Sequence, residues 1–139
     1  MRVGVIGCGF FAQNHLNGWR DLAAEGVEIA AVCDIDPDKA EQAAKTFGAP
    51  RSYADAATML ASEKLDFVDV VTRMETHLEI VKLAAAKGLD IILQKPIAPD
   101  WTAAQEVVDH ALDHRLADMR RVRQVEMVHA RGVLEPDGP

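Results

Sequence analysis

The chain has 139 residues, 49% hydrophobic and 27% charged, which leaves room for one domain with a core and not for two of ordinary size. Its net charge of -7 argues against a nucleic-acid partner, because phosphate backbones call for a basic patch, and the late cluster Arg120, Arg121 and Arg123 reads as a solvated helix face. Neither a signal peptide nor a membrane-length apolar run is visible, which points to a cytoplasmic protein with reduced thiols, so Cys8 and Cys33 read as small buried residues.

The apolar run from Arg2 to Ile6 breaks at Gly7-Cys8-Gly9-Phe10-Phe11-Ala12 and turns into a helix. Gly7 can take the backbone angles of a tight strand-to-helix turn, Gly9 has no side chain to hold a pyrophosphate off the backbone, and Ala12 lets the helix lie close on the strand. Phe10 and Phe11 open the helix, whose free N–H groups and positive dipole end would face the phosphate. That helix is predicted over Phe10 to Ala24 and ends at Gly26. A second strand, Glu28 to Cys33, is almost wholly apolar, as a strand covered on both faces should be. Asp34 follows it at the position of the acidic residue that completes a dinucleotide-binding fingerprint, where it would meet the adenosine ribose. It also suits an N-cap or a turn in Asp34-Ile35-Asp36-Pro37, and these roles can coexist.

A helix from Pro37 through Phe47, a short strand Arg51 to Tyr53 and a brief helix Asp55 to Ser62 come next. Asp66 to Val71 reads as a fourth strand, His77 to Lys87 as a helix, and Leu89 to Leu93 as a fifth strand that leads into Gln94-Lys95-Pro96. Strands alternating with helices at this spacing imply a doubly wound parallel α/β sheet of Rossmann type. Gly7, Asp34, Thr72 and Lys95 all lie at carboxyl ends of strands, so their loops should meet in one crevice. From Thr102 no glycine or proline appears until Gly132, and Ala104, Val107, Val108, Ala111 and Leu112 line one side of an amphipathic helix. Leu116, Met119 and Val122 keep that spacing, whereas Val125 to Val128 suits a sixth strand equally well.

Together, Val3-Gly4-Val5-Ile6-Gly7-Cys8-Gly9 with Ala12, His15, Asp34, Thr72 with Thr76-His77, and Gln94-Lys95-Pro96 resemble the glucose-fructose oxidoreductase and inositol dehydrogenase (Gfo/Idh/MocA) family over residues 1 to about 115. The resemblance implies an NAD(P)-dependent dehydrogenase of sugars, polyols and related compounds, with a cofactor domain followed by a larger substrate domain. It places Gly7, Gly9, Phe10, Phe11 and Ala12 at the pyrophosphate and Asp34 at the ribose. Thr72, Gln94 and Lys95 fall beside the nicotinamide half, with Lys95 near the reacting carbon. Lys95 and His77 form the candidate catalytic set, since an ammonium can hold a substrate hydroxyl and a histidine can donate a proton. His15 also belongs near the crevice mouth, although for both histidines binding to backbone or phosphate is the plainer role. Gln94 stands where the family usually has glutamate, and Arg73 where a proline commonly follows the threonine. After about residue 115 the likeness ends, so residues 116–139 read as a divergent tail and the family's second domain as absent.

Asp34 followed by Ile35 predicts NAD over NADP, because a carboxylate repels the extra phosphate and no cation offsets it. His110 and His114 have the four-residue spacing of two metal ligands, but no third ligand accompanies them, and no metal is expected. Neither Ser52 nor Ser62 lies in a nucleophile elbow. The sequence therefore supports a truncated oxidoreductase or, alternatively, a nucleotide-binding module without turnover. The apolar stripe through Leu116 and Met119 predicts a homodimer built on the C-terminal third.

Overall fold

The computed structural model describes residues 1–113. Five strands, β1 (Arg2–Ile6), β2 (Glu28–Cys33), β3 (Ser52–Tyr53), β4 (Phe67–Val70) and β5 (Asp90–Leu93), form one sheet in the order β3-β2-β1-β4-β5. Every neighbouring pair is parallel. The chain winds outward from β1 through β2 to β3, then returns to the other side of β1 to lay down β4 and β5. The reversal between β1 and β4 is the topological switch point, outside which ligands bind in such sheets.

Alternation sorts the strands' side chains between two faces, and a register irregularity of β2 opposite Val3 and Gly4 brings Ile29 and Val32, three apart, to the same one. Val3 and Val5 of β1 and Ile29 and Val32 of β2 pack with Ala12, Leu16, Ala43 and Phe47 from α1 (Ala12–Asp21) and α2 (Pro37–Phe47). Ile6, Ala31, Val68 and Val70 pack on the opposite face with Met59, Leu60, Ile80 and Ala84 from α3 (Ala56–Ser62) and α4 (His77–Ala86). The sheet is thus covered on both faces, which is why its strands read as continuous apolar runs. The last described helix, α5 (Trp101–Asp113), packs on α4, buries Val107 and pairs Glu106 with Lys82 at 3.1 Å.

Among the described residues every predicted element forms: β2 and α2 keep their predicted limits, α5 starts one residue early, and several others are shorter. The helix expected from Phe10 starts at Ala12, because Ala12, Gln13 and Asn14 donate back to the carbonyls of Gly9, Phe10 and Phe11 and hold the preceding residues in a turn. It ends at Asp21, and Ala23–Glu25 continues as a single 3₁₀ turn. A second 3₁₀ turn, Met74–Thr76, precedes α4. Asp36, rather than Asp34, caps α2: its carboxylate accepts from the Asp38 N–H, and Pro37 occupies the first turn. The choice between helix and sixth strand after Leu116, and the dimer stripe through Leu116 and Met119, lie outside the described residues.

Candidate functional site

The glycine turn follows from sterics. Gly7 has φ +99°, and a Cβ there would sit on the Val71 carbonyl, with the carbonyl carbon 2.7 Å away. Its backbone is held from both sides of the switch point: the Gly7 N–H donates to the Cys33 carbonyl at 2.7 Å, and the Val71 N–H donates to the Ile6 carbonyl at 2.8 Å. Gly9 is different. No protein atom lies within 4 Å of where its Cβ would stand, so the fold itself does not need a glycine there. Among the described residues, the N–H groups of Gly9, Phe10 and Phe11 donate to no protein acceptor. Three amide donors beside an open approach form an anion cradle of the kind a pyrophosphate needs. Phe10 is 93% exposed, while Ala12 is buried against the sheet, as the close packing of α1 requires.

Asp34 stands at the end of β2 with both oxygens directed at backbone. Its Oδ2 accepts the Cys8 N–H at 2.7 Å, and its Oδ1 accepts the Asp36 N–H at 2.9 Å. The first bond ties the carboxylate to the glycine turn, and the second is the tight turn allowed for in the sequence. Each oxygen keeps a further lone pair able to accept from a ligand hydroxyl. Ile35 beside it is 92% exposed, and Lys39, the cation on the first turns of α2, pairs with Asp36 at 3.5 Å. Cys8 and Cys33 are buried free thiols. Burial, followed by the negative charge of Asp34, pushes Cys8 up to about 12. Burial, followed by Asp55 and Asp34, pushes Cys33 up to about 11, so neither is a thiolate nucleophile.

On the other side of the switch point, Thr72 follows β4, its methyl 3.1 Å from the Gly7 Cβ position and its Oγ1 2.9 Å from the Thr76 hydroxyl. His77, at the start of α4, is fully buried. Its Nδ1 faces the Ile97 carbonyl at 2.9 Å and its Nε2 the Thr72 carbonyl at 3.1 Å, so the ring spans two loops and presents neither nitrogen to solvent. Lys95 is exposed at the end of β5, next to a cis Lys95–Pro96 bond. Its amide donates to the Gln94 side-chain oxygen at 2.8 Å, and the Gln94 Nε2 meets His15 Nε2 at 3.1 Å. His15 lies on α1 directly behind the glycine turn, so that contact brings Lys95's loop and the phosphate cradle to the same edge.

The His15 contact was legible only in part, and its partner Asp69 was missed. Asp69 is a fully buried carboxylate on central β4. The available signal was an acid placed between valines in a strand otherwise read as core. His110 pairs only loosely with Glu106, at 4.0 Å, and His114 lies outside the described residues. Among the described residues no group of three metal-ligating side chains converges.

The parallel sheet, the glycine turn at its switch point and the acid after β2 define a dinucleotide-binding Rossmann domain. Residues 1–117 match the Oxidoreductase family, NAD-binding Rossmann fold, of Gfo/Idh/MocA type, and the chain belongs to that family. It is 47% identical over 104 residues to D-apiose dehydrogenase of Paraburkholderia graminis, a match that covers 75% of this chain and 27% of that protein. An oxidoreductase from Agrobacterium radiobacter, solved in complex with NAD+, L-tartaric acid and magnesium, superimposes with a TM-score of 0.77 at 38% identity, covering 82% of this chain and 33% of that one. The WlbA dehydrogenase of Chromobacterium violaceum, solved with NADH and UDP-GlcNAcA, gives 0.75 at 32% identity, with coverages of 82% and 32%. The chain spans about a third of the length of these relatives.

Proposed function

We propose that this chain holds NAD across the carboxyl edge of its sheet and forms the cofactor half of a dehydrogenase for a sugar, polyol or related hydroxy compound. NAD, when bound, supplies the hydride acceptor. Gly9, Phe10 and Phe11 donate their N–H groups to the pyrophosphate, Gly7 and Ala12 shape the turn, and Asp34 accepts from the ribose hydroxyls. Thr72 and Gln94 border the nicotinamide half. Lys95 donates to the substrate hydroxyl and stabilises the negative charge that develops on its oxygen as hydride leaves. The observation that carries this reading is the Gln94–His15 contact of 3.1 Å, which brings the lysine loop to the helix of the phosphate cradle. His77 is the less favoured member of the candidate catalytic pair, because both of its nitrogens face backbone carbonyls. Action in the cytoplasm as a homodimer belongs to the same reading. No helix among the described residues is long and apolar enough to cross a membrane, and α5 leaves Trp101, Val108 and Leu112 exposed for a second copy to cover.

A second reading, cofactor binding without turnover by the 139-residue chain, is favoured by the exposure of Lys95, Phe10 and Ile97. Substrate orientation supplies much of an enzyme's acceleration, and an open crevice orients poorly. Calorimetric titration tests the shared part. NAD should bind at least about tenfold tighter than NADP, because a 2′-phosphate would meet the carboxylates of Asp34 and Asp36. Asp34→Ala should narrow that ratio, and equal or tighter NADP binding would overturn the assignment of Asp34. Steady NADH formation with inositol or glucose, abolished by Lys95→Ala, would decide for turnover. Binding without NADH formation would decide for the second reading.

A further inference from the structure

Among the described residues Asp69 is the side chain least explained by stability. It sits between Val68 and Val70 in a central strand with no solvent exposure. Its Oδ2 accepts from Trp19 Nε1 at 2.7 Å and contacts His15 Nδ1 at 2.8 Å, while Oδ1 has no partner among the described residues. A buried carboxylate costs several kcal/mol unless its lone pairs are well satisfied, and a half-satisfied polar group is worse for a core than an apolar one. A valine would have served the strand. Such departures from local consistency concentrate where a protein does its work.

The hydrogen bonds running from Asp69 can be assigned from one end, because a backbone N–H can only donate. Lys95 N–H needs an acceptor, so the Gln94 side-chain oxygen faces it and the Gln94 amino group must face His15 Nε2. That nitrogen is therefore the unprotonated one. The ring proton sits on Nδ1 and points at Asp69. Reversing the Gln94 amide would set its amino group against the Lys95 N–H. The four groups thus have one self-consistent arrangement, running from the carboxylate under the sheet to the lysine at its edge. Phe11 of the phosphate cradle packs edge-on against the same histidine, with ring centroids 5.7 Å apart.

We propose that Asp69 and His15 are positioning residues for Lys95: the buried carboxylate fixes the histidine as its Nδ1–H tautomer, which orients the Gln94 amide and through it anchors the Lys95 backbone at the nicotinamide side of the crevice. This rests on the reading of the crevice as an NAD site only for which ligand the anchored loop serves. The sequence feature that makes the chain neutral beyond Asp69 is Gln94 itself. Its amide offers a donor and an acceptor at once, and each is used.

The test uses the full 139-residue chain. In nitrogen-15 spectra of the ligand-free protein, His15 should show the Nδ1–H tautomer, the minor form of free histidine. An Nε2–H tautomer would overturn the assignment. Hydrogen exchange of the Lys95 amide should quicken at least about tenfold in Asp69→Leu and in His15→Phe, with the amides of Val5 and Val32 unchanged. Asp69→Asn should behave as wild type, since its carbonyl oxygen can take the place of Oδ2. An unchanged Lys95 amide in both disruptive variants would reject the coupling, as would an asparagine variant that fails like the leucine one. Should Asp69→Leu not fold, His15→Phe, which keeps a ring against Phe11, decides alone. With ligand, NADH affinity of His15→Phe should fall about fivefold, while ADP-ribose, which lacks the nicotinamide, changes by less than about twofold. Equal losses for both ligands would reduce the network to a structural one and overturn the proposal. Failure of the wild-type chain to bind NADH at all would instead sink the NAD reading and leave the tautomer and exchange results standing.

Discussion

At the scale of single residues, Gly7 and Gly9 look alike in sequence and differ in what holds them. Gly7→Ala must leave a φ of +99° and clear the Val71 carbonyl, so it should cost about 3 kcal/mol of stability, readable in denaturant unfolding. Gly9→Ala meets no protein atom and should leave stability within about 0.5 kcal/mol while lowering NAD affinity about tenfold, since on the proposed reading the methyl occupies the pyrophosphate approach. A Gly9→Ala variant that binds NAD like wild type would move the phosphate elsewhere. The motif was legible from its spacing, yet only Gly7 answers a steric demand of the fold itself, and Gly9 leaves an approach to the backbone open. The bond from Cys8 N–H to Asp34 Oδ2 was not, because it joins residues 26 apart and exists only once β1 and β2 lie side by side. Asp69 was missed for the same reason: its donors, Trp19 and His15, come from a helix 50 or more positions away.

Among the elements, existence and order followed from apolar periodicity and punctuation, while limits depended on hydrogen bonds that the sequence does not display. Pro37, Gly48 and Asp55 mark ends that the chain announces; the shift of α1 from Phe10 to Ala12 reflects the turn closed by the Gly9 carbonyl. His77 shows how an element start acquires a job across the fold. Opening α4, its ring faces the carbonyls of Thr72 and Ile97 and so ties the loop after β4 to the loop after β5. Replacing it with phenylalanine should keep the shape and leave the carbonyl that accepts its ring N–H without that donor, destabilising the protein by about 1 kcal/mol. On the proposed reading both loops border the nicotinamide side, so His77→Phe should weaken NAD more than ADP-ribose. Unchanged stability and equal effects on the two ligands would show that the ring does not hold the loops.

For the molecule as a whole, the switch point gathers the ligand-facing loops, while the sheet's far edge needs other support, because β3 contributes only Ser52 and Tyr53. Glu63, at the end of α3 with its side chain 1% exposed, supplies it. Its carboxylate accepts from Arg51 Nε and, at 2.7 Å, from Arg51 Nη2, takes the Tyr53 hydroxyl at 2.6 Å, and lies 3.7 Å from Arg2 Nη2 on β1. One buried acid thereby joins α3, the edge strand and the central strand. The Arg51 hydrogen bonds hold Glu63 below the ordinary glutamate range; burial opposes them, and the Tyr53 hydroxyl and the charges of Arg51 and Arg2 reinforce them. A carboxyl whose folded pKa is depressed contributes stability that is complete above the unfolded value, about 4.3, and is lost as pH falls toward and through the folded value. Thermal unfolding should therefore move to lower temperature as pH drops below about 4.3. Glu63→Gln should be less stable than wild type at neutral pH, because a neutral amide cannot match two guanidinium donors, and should show a shallower loss in acid. Parallel pH profiles for the two proteins would mean that this junction is not what acid undoes.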